Sequence, residues 1–154
     1  MTTLESVEKL LMEIDFDIQV EREPVFASDS AEKIVLFGDK FTEEEKDIFM
    51  GVYVDIGLFF DCSMETFAVL HEVGHIMTLS HLPDIEKTFI FHEYVESAKQ
   101  IKRLKDPSKE FRAYVDLFVE RIANEWAIAF MQKDPDLVQR LDKVVKKYYE
   151  DEVF

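Results

Sequence analysis

The residues best suited to chemistry lie in one pentapeptide of the HExxH type, His71-Glu72-Val73-Gly74-His75. On an α-helix, side chains four positions apart lie on the same face, so His71 and His75 would present two imidazoles to one point. Imidazole nitrogens are common zinc ligands, and Glu72, the next residue round the helix, can take a proton from a water at that point. The spacing therefore predicts a zinc site with an adjacent general base.

The residues around the pentapeptide predict the helix that this site requires. Ser63 precedes Met64 and is suited to cap a helix N-terminus, with Thr66 as a weaker choice. The uncharged Val73 and Gly74 suit a helix buried between two layers. Glycine costs about 1 kcal/mol relative to alanine inside a helix, so a close approach by another backbone would explain Gly74. The simpler alternative is a core helix whose two histidines make only ordinary hydrogen bonds.

Length and composition favour one globular domain over residues 1–154, since 47% of the residues are hydrophobic and 13% are aromatic. The 33 acidic and 18 basic residues give a net charge of −15, which argues against a nucleic-acid partner. One cysteine, Cys62, excludes an intramolecular disulfide. The sequence begins without a signal-peptide pattern, and its most apolar run, residues 48–60, is too short to span a membrane. We therefore expect a cytoplasmic protein with no membrane partner.

Hydrophobic periodicity predicts the elements before the HExxH helix. They are a helix over residues 4–14, a strand over 16–20, a loop over 21–30, a strand over 33–37, a short helix from Thr42 to near Gly51, and a strand over 52–60. The last strand would border the HExxH helix. An exposed sheet edge there can receive an extended peptide, although an edge covered by the protein itself is an equal alternative.

The segment after the HExxH helix is predicted to be helical throughout, with three breaks that each contain a proline. Helices are expected over residues 89–104, 110–132 and 136–149, separated near Pro83, Pro107 and Pro135. The middle helix is long and mostly apolar.

Two histidines do not complete a catalytic zinc site, which usually has three protein ligands and a water. Glu120 is the best candidate for the third, because it shares one stripe of the helix over 110–132 with Asn124 and several small residues. A carboxylate on such an inward stripe is costly unless it is paired or bound to a metal. Asn124, one turn after Glu120, would orient a ligand from behind.

Several other residues are alternative candidates for a metal ligand, for substrate binding or for an oxyanion donor. Glu125 is the main rival for the third ligand, but it lies on a face where Arg121 can pair with it four residues away. The further alternatives for this ligand are Glu93 and Glu96. His81 and His92 are candidates for binding substrate or stabilising an oxyanion, although a surface role is simpler. Tyr94 and Tyr114 are candidates for an oxyanion donor, although a role in core packing is simpler.

The two segments together resemble the ImmA/IrrE family of small zinc metallopeptidases, a minimal gluzincin type. The resemblance covers roughly residues 52–131. The family pattern falls on His71, Glu72, His75 and Glu120, followed by Ala123, Asn124, Trp126 and Ala127. Two features depart from the pattern: the separation between His75 and Glu120 is long, and Phe-Met-Gln-Lys stands at residues 130–133 in place of Leu-Leu-Met-Pro.

The resemblance, with the order of strands and helices, implies a zincin-like α+β fold. In it a small mixed β-sheet packs beside the HExxH helix and a helical C-terminal half. It also implies a zinc-dependent endopeptidase with one Zn²⁺ per chain, acting on a protein or peptide such as a repressor of a phage or mobile element. His71, His75 and Glu120 would hold zinc, with Glu72 as the catalytic base.

A different class of function stays open. An acidic chain with a merely structural zinc can act as a non-catalytic binder that inhibits a DNA-binding partner by covering its basic surface. Glu72 favours the enzyme, because a structural zinc site has no need of a base.

Overall fold

The protein has an α+β fold, seen in a computed structural model that describes residues 1–151. This confirms the predicted class, a small mixed sheet beside the HExxH helix with a helical C-terminal half. The elements are α1 (Thr3–Met12), β1 (Gln19–Arg22), β2 (Ala27–Asp29), β3 (Ile34–Phe37), α2 (Glu43–Asp55), α3 (Met64–Leu79), α4 (Asp84–Ile101), a 3₁₀ turn (Lys102–Leu104), α5 (Pro107–Val115), α6 (Phe118–Lys133) and α7 (Pro135–Asp151).

The three strands form one mixed sheet in the order β1-β3-β2. β1 runs parallel to β3, with Val20 opposite Val35, and β2 runs antiparallel to β3, with Ser28 opposite Val35. Val20, Val35 and Phe37 are buried, and α3 packs against both β2 and β3. The sheet therefore supports the HExxH helix, and β2 is the edge strand next to it.

Two predictions about strands were wrong. The predicted loop over 21–30 contains the end of β1 and all of β2, because a three-residue strand is too short to show an alternating pattern. The predicted strand over 52–60 does not form: α2 continues through Gly51 to Asp55, and residues 56–60 are irregular. Val52 and Tyr53 are buried on α2, so packing decides their conformation and their strand propensity does not.

The predicted helix over 110–132 was also wrong as a single element. It is two helices, α5 and α6, separated at Asp116 and Leu117. The break lets each helix bury its own apolar face, with Val115 buried on α5 and Val119 on α6. The first and last predicted helices correspond to α1 and α7, and the predicted helix over 89–104 begins earlier, as α4 at Asp84.

The HExxH helix, α3, is deeply buried, with 11 of its 16 residues buried. Its predicted cap is confirmed, because the Ser63 side chain accepts a hydrogen bond from the Thr66 backbone N–H. Gly74 lies against α6 so closely that a Cβ there would be 2.6 Å from the Ala123 carbonyl oxygen. The close backbone approach expected from this glycine is therefore present, and it sets the spacing between α3 and α6.

α4 covers the site from the other side without entering the core. None of its residues is buried, and it packs mainly on α5 and the 3₁₀ turn. Ile85, Phe89 and Phe91 each expose about two thirds or more of their surface, at 76%, 72% and 68%. Neither α4 nor any other helix in residues 1–151 is long and apolar enough to cross a membrane.

The contact at Gly74 predicts opposite effects for two glycine substitutions. Gly74→Ala should destabilise the protein, because overpacking costs about 1–3 kcal/mol and a clash with backbone lies near the top of that range. That cost exceeds the gain in helix propensity of about 1 kcal/mol. Gly51→Ala is the matched control, since a Cβ on this exposed residue of α2 would meet nothing within 4 Å.

The Gly51→Ala variant should be more stable than wild type by about 0.5–1 kcal/mol. Urea unfolding followed by circular dichroism measures both differences. Equal stabilisation by the two substitutions would show that α3 and α6 are not in close contact at Gly74.

Candidate metal centre

Three side chains from two helices converge on one point. The Nε2 atoms of His71 and His75, both on α3, lie 3.0 and 2.6 Å from Oε1 of Glu120 on α6. One ligand atom from each residue lies within 4.8 Å of the other two. Glu120 is 1% exposed, so its carboxylate is held inside the protein. This group can hold a metal ion.

Small residues on α6 explain why Glu120 comes so close to the histidines. Ala123 and Ala127 follow Glu120 on the same face of α6, and both are fully buried. Because Ala123 rests directly on Gly74, no side chain separates the two helix backbones at this level. A Glu side chain can therefore reach across to imidazoles on the facing helix.

Glu120 and His71 are buried, which disfavours their charged forms, and each charged form stabilises the other. Burial disfavours the Glu120 carboxylate, but hydrogen bonds to His71 and His75 outweigh it and hold the Glu120 pKa well below its usual range. Burial likewise disfavours a charged imidazole at His71, yet the Glu120 carboxylate outweighs it and raises the His71 pKa. The site therefore keeps a buried anion that requires positive charge beside it.

Asn124 forms a hydrogen bond to one of the three side chains of this group, His71. The Nδ1–H of His71 donates to Oδ1 of Asn124 at 2.7 Å. This hydrogen bond keeps a proton on Nδ1, so that Nε2, the nitrogen that faces Glu120, is the atom that would bind a metal ion. Asn124 is itself buried, so the His71 ring is held in one orientation.

Glu72 lies beside the ligand group and outside it. It is 8% exposed and lines the same cleft as His75 and Glu120. The hydroxyl of Ser28, on the edge strand β2, donates to Oε1 of Glu72 at 3.0 Å. Ser28 could not be identified from the sequence, because the strand that carries it was predicted as a loop.

The alternative residues do not join this group. Glu125 is exposed, with Oε1 4.0 Å from Nε of Arg121, as its helical position indicated. Glu93 and Glu96 are exposed on α4. His81 and His92 are exposed as well.

A cleft of about 410 Å³ opens onto His75, Glu120 and Glu72. Lys87 lies in its wall on α4. Tyr94 and Tyr114 also line it, so neither is only a core residue. Its apolar side chains come from the sheet side, from both helices of the centre and from α4, and they are Phe26, Leu79, Ile90, Phe91 and Val119.

Comparison with protein-family models, curated proteins and solved structures finds no match to this chain. The interpretation of the site therefore depends on its own geometry and chemistry. The resemblance noted in the sequence stays a hypothesis that rests on the residues carrying it.

The geometry predicts that Glu120 is required for metal binding and Glu125 is not. Loss of a residue that only supports a ligand costs about 10- to 100-fold in metal affinity, so loss of the Glu120 ligand should cost at least about 100-fold. Glu120→Gln preserves the volume of the buried side chain, and Glu125→Gln makes the same change on the exposed face. Competition of each purified variant with a chromophoric chelator for Zn²⁺ measures the affinities.

The same titration includes His71→Ala as a second ligand variant. Tight binding that survives both His71→Ala and Glu120→Gln would place the metal elsewhere. Weakened binding in Glu125→Gln alone would make Glu125 the third ligand.

Proposed function

We propose that this protein is a zinc-dependent endopeptidase of the HExxH gluzincin type, similar to the ImmA/IrrE peptidases. One observation carries the proposal: a His-His-Glu ligand group lies beside a further buried carboxylate, Glu72, at the wall of a cleft. The proposed substrate is a regulatory protein such as a repressor of a phage or mobile element.

The donor set supports zinc as the metal. Two imidazole nitrogens and one carboxylate oxygen form the ligand set typical of catalytic zinc in peptidases, whereas closed structural sites have four protein ligands. The group found among residues 1–151 contains three residues, which leaves a position for water or substrate. Calcium and magnesium prefer oxygen ligands, so two histidines argue against them.

The residues around the ligand group have the roles that peptide hydrolysis needs. A bound zinc ion would supply a lowered pKa for water and polarisation of the peptide carbonyl. Glu72 accepts a proton from the attacking water and delivers it to the leaving amine nitrogen. The hydrogen bond from Ser28 holds the Glu72 carboxylate in one orientation, and Asn124 does the same for the His71 ring.

The cleft favours an extended peptide as substrate. β2 is an edge strand, and its residues Ala27 and Ser28 line the cleft next to Glu72. An extended chain can add to such an edge through backbone hydrogen bonds while its side chains enter neighbouring pockets. The apolar walls of the cleft suit an apolar side chain near the cleaved bond.

The alternative is a binder that inhibits a DNA-binding protein through its acidic surface, and the net charge of −15 favours it. Both functions allow zinc, so metal content does not separate them. Glu72 distinguishes the two functions, because a non-catalytic binder does not need a general base.

Glu72→Gln should abolish cleavage while leaving zinc binding and partner binding intact. The substitution preserves shape and removes the ability to accept a proton, and general-base catalysis contributes roughly 10²- to 10⁴-fold in rate. Each form is co-expressed with candidate repressors from the same genetic element, and fragments are identified by mass spectrometry. Glu125→Gln, an identical change on an exposed surface, is the control and should cleave like wild type.

A discrete fragment with wild type and Glu125→Gln, but not with Glu72→Gln, supports the peptidase. A target that wild type and Glu72→Gln inactivate equally well, with no fragment in either case, would replace the peptidase with the binder.

A further inference from the structure

Lys87 is the one lysine or arginine among the described residues that line the cleft. It lies on the face of α4 that borders the cleft, together with Phe91 and Tyr94, four and seven positions further along the helix. Its side chain is half-buried. The same cleft is lined by two carboxylates, Glu72 and Glu120, so Lys87 adds a positive group to a site that otherwise contains acids.

The Lys87 ammonium group makes no ion pair within residues 1–151. The other half-buried basic side chains of this part of the chain each pair with a carboxylate: Arg22 with Asp39, Lys33 with Asp15, and Lys46 with Glu65. The remaining lysines are exposed, where water solvates their charge. Lys87 is therefore the exception in this protein, a half-buried cation without an anion beside it.

The position of Lys87 on α4 does not explain its charge. Ion pairs on a helix join residues three or four positions apart. Of those positions around Lys87 only Asp84 is acidic, and within residues 1–151 no ion pair joins the two. Lys87 is also the fourth residue of α4, near the end of the helix dipole that disfavours a cation. The stability of the helix thus gives no reason for a lysine here.

The two carboxylates of the cleft have other partners. Glu120 faces the two histidines of α3, and Glu72 accepts a hydrogen bond from Ser28. A bound zinc ion carries two positive charges, which these two carboxylates would balance. The charge of Lys87 is then left for a ligand in the cleft, and a half-buried cation favours a ligand that brings an anion to it.

We propose that Lys87 is a specificity-determining residue that binds a carboxylate group of the peptide in the cleft. The inference rests on the proposed peptidase function and narrows its substrates to peptides with a carboxylate near the cleaved bond. That carboxylate belongs to an Asp or Glu side chain or to the C-terminus of the peptide. Because the chain has a net charge of −15, its surface as a whole disfavours acidic peptides, and one cation in the cleft selects where such a group can lie.

The experiment measures peptide binding by fluorescence anisotropy to zinc-loaded Glu72→Gln protein, the parent form, which should bind peptides without cleaving them. The probes are amidated, fluorescein-labelled heptapeptides of Ala, Val and Ser that carry one Glu, Gln or Lys, placed at each position in turn. A neutral peptide with a free C-terminal carboxylate completes the set, so that a side chain and a chain end are distinguished.

At the position that reaches Lys87, the Glu peptide should bind the parent about 5- to 10-fold more tightly than the Gln peptide. This expectation lies between the effect of an exposed ion pair and that of a buried hydrogen bond to a charged group. Adding Lys87→Gln should remove the difference, and adding Lys87→Glu should reverse it in favour of the Lys peptide. Lys87→Arg should retain the preference for Glu, because it keeps the charge.

Lys99→Glu is the matched control, since it makes the same change of charge on the same helix. Lys99 is exposed and lies outside the wall of the cleft, so this variant should keep the preference of the parent. Circular dichroism checks the fold of every variant. If Lys87→Glu does not fold, the neutral Lys87→Gln carries the test.

Equal binding of the Glu and Gln peptides at every position, or no binding of any peptide, would overturn the inference. The peptidase itself would then still be decided by the cleavage test with Glu72→Gln. A preference of the parent for Lys peptides would overturn the inference as well, because the overall acidic charge would then govern binding.

An equal loss of the Glu preference in Lys99→Glu would show a long-range effect of charge and overturn the role of Lys87. A preference for the free C-terminal carboxylate alone, lost in Lys87→Gln, would support the role of Lys87 and assign its ligand to a chain end. A preference for Glu that depends on Lys87 in a protein without cleavage activity would support the carboxylate site and overturn only the peptidase.

Discussion

The contact between Gly74 on α3 and Ala123 on α6 is the constraint on which the rest of the site depends. It removes side chains from the place where the two helices meet, and it leaves the Ala123 carbonyl oxygen only 2.6 Å from the position of an added Cβ. A Glu side chain one turn earlier on α6 then reaches the histidines of α3. The ligand group is therefore a consequence of helix packing, and it needs no flexible loop to assemble.

A comparison of two buried carboxylates near α3 shows why a metal suits this site. Glu65, 4% exposed, accepts a hydrogen bond from the Phe41 backbone N–H and lies 3.9 Å from the Lys46 ammonium. That carboxylate has a permanent positive partner supplied by the protein. Glu120 is more deeply buried, and the ion pairs of residues 1–151 give it no Lys or Arg partner, only the imidazoles of His71 and His75. A bound cation would give the Glu120 carboxylate a positively charged partner, as Lys46 does for Glu65.

The long segment between His75 and Glu120 has a structural role. The intervening chain forms α4 and α5, and these helices contribute Lys87, Phe91, Tyr94 and Tyr114 to the cleft. The segment thus builds one wall of the cleft while the ligands stay on α3 and α6. α4 itself has no buried residue and exposes the apolar side chains of Ile85, Phe89 and Phe91.

The sequence alone determined the parts of the site that depend on local helical geometry. The spacing of His71 and His75 places both on one face of any helix, and the position of Glu120 and Asn124 on one stripe follows from the same period. The Ser63 cap and the need for a close neighbour at Gly74 were also predictable, since both follow from backbone chemistry within a turn.

Only the tertiary structure decided how the remaining elements form and meet. β2 is stable because it pairs with β3, and three residues carry no pattern of their own, so Ser28 beside Glu72 could not be foreseen. Residues 52–55 stay helical because Val52 and Tyr53 are buried there, although their types favour strands. The break at Asp116 and Leu117 likewise depends on packing, because α5 and α6 each bury an apolar face of their own. Burial is a property of the whole fold, so conformations that depend on it cannot be assigned from local sequence.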